Sequence, residues 1–338
     1  MKKLFYLLGI CFCSFLFSCN QENTSFSDVN THSSINRSIK SISDSINHFN
    51  DYYFEENTQT RSVIGNIISA YITKVVIADA IAAVKTWIGL KKGDAAKNAT
   101  TASANAAIKG IVKVIESIRD ALISPNSTNS GPLNINQLLV DTIPSDSIRL
   151  TSLFNNTVIP YLDYLGEYHN EIIQELFDNH SYYNFWDTLS VSNIHSLTIQ
   201  TSSYLAFKTT FYNYTIPTDT LTSDEAYFIA SFGKIINNDM DVYSYLEEII
   251  DDDRDLEPYS SIFSSYIYGI NQYINGNSTL STFRSYSNQV LNTIYNNNYL
   301  SDLQKEALCS GIVVGYASTL LWSKSFFEHT WNGGGSLN

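Results

Sequence analysis

Six side chains able to bind a metal or carry protons crowd one stretch: Glu167, His169, Glu171, Glu175, Asp178 and His180. A divalent metal needs imidazole and carboxylate converging, as in Glu-x-x-His or His-Glu-x-x-His on one helix face. Glu167, Glu171 and Glu175 recur at i, i+4 and i+8 and share a face, while His169 points elsewhere. The spacing predicts a solvated acidic face. A metal site here would rest on His169, Glu171 and Glu175.

A second acidic run, Glu247, Glu248, Asp251, Asp252, Asp253, Asp255 and Glu257, surrounds Arg254. Calcium loops alternate oxygen ligands about a Gly at the sharp turn, and that Gly is absent. The run reads as a solvated helix end. His32, His48, His195 and His329 are scattered, and no Gly-x-Ser-x-Gly, phosphate-binding Gly loop or Cys-x-x-Cys occurs. These residues assign no catalytic group, metal or cofactor, and a non-enzymatic protein is expected. The helical iron-regulated lipoproteins of the imelysin type carry Gly-x-His-x-x-Glu. Gly166-Glu167-Tyr168-His169-Asn170-Glu171 shifts both ligands and departs from that pattern.

The amino terminus offers clearer chemistry. Lys2 and Lys3 precede a run from Leu4 to Phe17 without charge, too short for a spanning helix of roughly 20 residues. The run closes on Leu16-Phe17-Ser18-Cys19, which resembles the lipobox of bacterial lipoproteins. That resemblance implies removal of residues 1–18, acylation of the Cys19 thiol by a fatty acid such as palmitate, and a second acylation of the new amino terminus. Several acyl chains on one residue make attachment effectively permanent. Asn20 after the cysteine is compatible with transfer to the outer membrane, facing the periplasm or the medium.

Asp followed by Ser or Thr and an aliphatic residue recurs at Ser45, Thr142, Ser147, Thr188 and Thr220. The pattern resembles the O-glycosylation acceptor of exported proteins of the Bacteroidetes phylum, with the hydroxyl carrying the sugar. It also reads as helix capping, because Asp-Ser and Asp-Thr begin helices.

The formal charge of −13 becomes −15 once Lys2 and Lys3 leave, which repels nucleic-acid phosphates and excludes a nucleic-acid partner. Cys11 and Cys13 depart with the signal, so Cys309, in an apolar context, is expected to be an inert core thiol.

The elements follow from periodicity. Few Pro and Gly with abundant Ile, Leu and Ala predict an all-α, multi-helix bundle. Residues 19–34, rich in Ser, Asn and Thr, read as a lipidated flexible tether. Ile35, Ile39, Ile42, Ile46, Phe49 and Tyr53 form one apolar helical seam. Two stretches, about 63–90 and 305–323, are apolar nearly all round and read as central core helices, because Lys74, Asp79 and Lys85 would be costly in lipid. The small residues at 78–83 let a neighbouring backbone come close. An Ala-rich helix after Gly93 should fold back on the first of these. Further helices are expected over 134–141, 146–155, 157–178, 190–213, 223–237, 241–250, 258–275, 279–296 and 301–328, with N-caps at Ser223 and Ser301. Residues 35–331 read as one domain, with a possible sub-boundary in the breaker at 124–132.

Anchor and composition together predict an envelope lipoprotein whose helical domain binds a protein or glycan partner. The alternatives are a membrane-active, toxin-like protein releasing the apolar helices, and a metal-binding envelope protein.

Overall fold

The computed structural model describes residues 25–54, 63–89, 91–123, 160–179, 188–211, 218–236, 240–251, 253 and 255–332. Cys19, the breaker at 124–132, Thr142, Ser147 and His180, with the helices expected over 134–141 and 146–155, lie outside the described residues. The described residues form eleven α-helices and no strand, an all-α bundle. In chain order these are α1 (Ser25–Tyr53), α2 (Val63–Ile88), α3 (Ala95–Ile123), α4 (Pro160–Asn179), α5 (Val191–Thr198) and α6 (Ser202–Phe211). They are followed by α7 (Ser223–Ile235), α8 (Val242–Asp251), α9 (Ser260–Ile274), α10 (Leu280–Tyr295) and α11 (Asp302–Asn332).

The centre is α2, which packs along α3 and α11 and also touches α8 and α9. Every residue from Tyr71 to Val84 is buried, as a helix apolar on all sides requires. On α11, residues 307–323 are likewise buried throughout. Both expected central helices are therefore central. A three-residue 3₁₀ turn at Lys92–Asp94 joins α2 to α3, which packs against it.

Close approach of α2 and α11 depends on small residues. A Cβ added at Gly311 would lie 2.5 Å from Val84 Cγ2 and 3.1 Å from the Ala80 carbonyl. Here the Ala-rich stretch of α2 admits a neighbouring backbone, as its composition predicts.

The apolar seam of α1 packs into the body against α9 and α10. Ile39, Ile42 and Ile46 are buried, with Ile35, Phe49 and Tyr53 partly so. Polar bonds fix its register: the Asn50 amide donates to the Ser265 carbonyl at 3.0 Å, and Ser43 and Ser265 hydroxyls meet at 2.9 Å. The helix begins at Ser25, so the last ten residues of the expected tether are its first turns. Those residues include no Gly or Pro, so nothing stops the helix propagating backwards from the seam.

The stretch expected as one helix over 190–213 is two, α5 and α6, parted at 199–201. Local side-chain bonds compete with the helix there. Thr201 Oγ1 donates to the Thr198 carbonyl at 2.8 Å and accepts from Tyr204 N–H at 3.1 Å. Glu175 of α4 then caps α6, accepting from the backbone N–H groups of Ser202 at 2.7 Å and Ser203 at 2.9 Å.

Candidate functional site

The three residues on which a metal site would rest do not converge. His169 is fully buried in the bundle, Glu171 is exposed, and Glu175 is engaged at the start of α6. Among the described residues no group of three or more His, Cys, Asp or Glu is placed to hold a metal. The acidic face is only partly solvated. Burial, then the charges of Glu167 and Glu175, raise the Glu171 carboxyl, whereas the Ser202 and Ser203 donors outweigh burial at Glu175 and lower it. In the second acidic run, Lys85 reaches out from α2 to Asp253 at 2.7 Å and Asp255 at 2.8 Å. That run is thus neutralised in part, where its sequence suggested only solvation. Cys309 is buried, and burial pushes its thiol well above the usual range.

Of the five hydroxyls in the repeated Asp-Ser/Thr pattern, three are described. Ser45 lies within α1 and donates to the Ser41 carbonyl at 2.8 Å. Thr188 and Thr220 are exposed and outside helices. Neither begins a helix, because the N-caps of α5 and α7 are Ser190 and Thr222. Capping therefore does not explain the pattern at these positions.

The Thr222 cap is one residue earlier than the Ser223 expected. It forms a reciprocal box with Glu225, whose carboxylate accepts from Thr222 N–H at 2.8 Å. Ser301 caps α11 in a similar exchange with Gln304, at 2.9 and 3.3 Å.

The Glu225 box forms one wall of a cleft of about 420 Å³ between the end of α2, the start of α3 and α7. Thr86, Lys91, Asn98 and Tyr227 line it with Glu225. Lys91 Nζ lies 3.1 Å from Glu225 Oε1, and the Asn98 amide donates to the same oxygen at 3.2 Å and to Thr86 Oγ1 at 3.1 Å. Burial would raise the Glu225 carboxyl. The Thr222 N–H and hydroxyl, with Lys91 and Asn98, outweigh it and hold the carboxyl at about 2. Asn98 is 2% exposed and its Oδ1 has no partner. Tyr227 is 75% exposed. The cleft thus presents an exposed ammonium paired with a carboxylate, beside an open aromatic face.

Below the cleft, Lys97 anchors the segment leading into α7. Its side chain is wholly buried, and Nζ donates to the Thr218 and Thr220 carbonyls, each at 2.9 Å, 3.5 Å from Asp94 Oδ1. Burial lowers the ammonium, and Asp94 followed by Glu225 opposes that shift. Asp94 in turn accepts from Thr218 N–H at 2.7 Å and Thr218 Oγ1 at 2.6 Å.

Deeper in the bundle, Asp79 of α2 is fully buried and faces His169 of α4. Burial drives its carboxyl well above the carboxylate range, offset in part by the Ser318 and Ser103 hydroxyls. Burial likewise pulls the His169 imidazole down to about 4, against its bond to Asn170.

Sequence periodicity does not single out Lys97, Asn98, Glu225 and Tyr227 as a group, because they come from helices more than 100 residues apart. Asp79 does carry a signal, as a lone acidic charge within an apolar helix. Comparisons of the chain with family models, curated proteins and solved structures find no match.

Proposed function

We propose that this chain is a lipid-anchored protein of the bacterial outer membrane, attached through acylated Cys19, whose helical body binds a glycan in the cleft beside α7. The observation that carries the binding reading is the cleft itself. Its volume falls in the range of small-ligand sites, and a few polar groups converge beside an exposed Tyr227. An aromatic face suits the apolar side of a sugar ring, and the Lys91 ammonium, 39% exposed, donates to its hydroxyls. A saccharide of one or two rings fits this size better than a flat protein surface. No step of bond breaking is assigned, and the function is recognition.

Two expected results test the two halves. Fatty-acid labelling of intact cells should mark the wild type and vanish in Cys19→Ala; persistent label in the variant would place the lipid elsewhere. Protease shaving of the same cells then reports which side of the membrane the body faces.

For the cleft, glycan arrays probed with the purified chain should give binding that falls at least tenfold in Tyr227→Ala. Tyr227 is 75% exposed, too exposed to support the fold, so the variant should melt with the parent. Undiminished binding in that variant would remove the cleft from consideration.

Exposed Thr188 and Thr220 are the proposed O-glycosylation positions, read out as a mass shift on peptides containing them.

A membrane-active reading draws on α2, whose segment Gly65–Ile88 is 24 residues long and apolar enough to cross a bilayer. It requires α2 to leave partners that bury 89% of that segment's most apolar window. Leakage from liposomes caused by the purified chain would favour it.

A further inference from the structure

A polar group separate from the cleft sits where α2, α3, α4 and α11 meet. Its hydrogen bonds can be followed donor by donor. Asn170 Nδ2 donates to the Ala317 carbonyl at 2.8 Å, which turns the amide oxygen towards His169 Nδ1 at 3.0 Å. That oxygen only accepts, so Nδ1 carries a hydrogen. The opposite nitrogen, Nε2, lies 3.5 Å from Asp79 Oδ2 and has no hydrogen-bond partner. Asp79 Oδ2 already accepts from Ser103 Oγ at 2.9 Å and from Ser318 Oγ. The Trp322 indole N–H donates to Ser103 Oγ at 3.2 Å, which directs the serine hydrogen at Asp79.

An ionised Asp79 opposite a neutral His169 would set the charged Oδ2 against the bare acceptor Nε2 in a dry core, a costly arrangement. A hydrogen on Oδ2 resolves it. A protonated Oδ2 has two lone pairs for the two serines and one hydrogen for His169 Nε2. Asp79 Oδ1, which has no partner, is then a carbonyl oxygen rather than half of a buried charge. Moving the proton onto His169 would instead make two buried ions at the same separation, with two desolvation penalties.

We infer that Asp79 is a neutral carboxylic acid in the folded protein and shares its hydrogen with Nε2 of His169, so that one trapped proton joins α2 to α4. Among the described residues, the groups that hydrogen-bond this pair from other elements are uncharged. α3 contributes Ser103, α11 contributes Ser318 and Trp322, and α4 contributes Asn170 beside His169. From α8 comes Tyr245, whose hydroxyl burial holds well above its usual range, so that it too is neutral. Lys74 of α2 sits over the Tyr245 ring, 5.9 Å from its centre.

The proton count sets the pH response. Unfolded, the carboxyl loses its proton near pH 4 and the imidazole near 6.5. Folded, the pair holds one proton throughout this range. Above about pH 6.5 folding therefore takes up a proton, and the folding constant falls about tenfold per pH unit. Between about 4 and 6.5 the folded and unfolded counts match and the pair's contribution is level. Near pH 4 the unfolded carboxyl and the folded His169 take up a proton together, so the contribution stays level there. Alkaline conditions thus loosen the centre of the bundle.

The test compares urea unfolding of the full chain with Asp79→Asn between pH 5 and 7. The ratio of wild-type to variant folding constants should fall about tenfold per pH unit, because asparagine accepts the serine bonds and has no proton to lose. A ratio independent of pH overturns the inference. Should the variant fail to fold, the wild type at pH 7 still decides. ¹⁵N shifts should report His169 as neutral with its hydrogen on Nδ1, and the infrared spectrum should contain the carbonyl stretch of a protonated carboxylic acid. A doubly protonated His169, or carboxylate bands only, overturns it.

Discussion

Methionine at position 97 is expected to lower the free energy of unfolding by about 3–5 kcal/mol, the usual cost of removing one partner from a buried ion pair. The readout is a lower urea midpoint with an unchanged slope. Lys97 and Asp94 have side chains 0% and 2% exposed, and Nζ also holds the carbonyls of Thr218 and Thr220. Methionine fills the volume but donates nothing. The Asp94 carboxylate loses its counter-charge, and two carbonyls lose their donor. Lys97→Met combined with Asp94→Asn should recover part of the loss, since asparagine removes the stranded charge and can still bond Thr218. A loss below about 1 kcal/mol in the single variant would mean that water reaches the site readily.

Gly311→Ala should destabilise by about 1–3 kcal/mol, while Gly315→Ala, one turn along the same helix, should be neutral or slightly stabilising. The added methyl at 311 meets Val84 Cγ2 at 2.5 Å and the Ala80 carbonyl at 3.1 Å, and the backbone atom cannot swing aside. At 315 the nearest atom is Ala80 Cβ at 3.4 Å, an ordinary contact, and alanine gains about 1 kcal/mol in helix propensity. Thermal melts of the matched pair read the difference. Equal melting temperatures would mean that α2 and α11 separate without strain.

Whatever periodicity encodes in this fold is legible from residue order. Residues 39, 42 and 46 share a seam because helical geometry places them there, and each is buried. Apolarity on all sides marks 63–88 and 307–323 as core, and the ends of several later helices fall within one or two positions of those expected. Local competition and long-range pairing leave no such trace. The break at 199–201 depends on threonine hydroxyls bonding nearby backbone, which apolar spacing does not register. Glu175 looks like one of three solvated acids, yet its carboxylate serves a helix start 27 residues later. The neighbours of His169 in sequence suggest a ligand group, whereas its partner is Asp79, in a different helix. No spacing rule brings together residues that meet only when four helices assemble.

The burial of α2 also governs how the chain must be made. Ser318, which donates to Asp79, follows it by 239 residues. At synthesis rates of roughly 5–20 residues per second, α2 emerges roughly 10 to 50 s before its last partner exists. Throughout that interval α2 lacks its α11 cover and Asp79 lacks its Ser318 donor. Shortening the chain into α11 therefore removes the closing wall of the core rather than trimming an appendage.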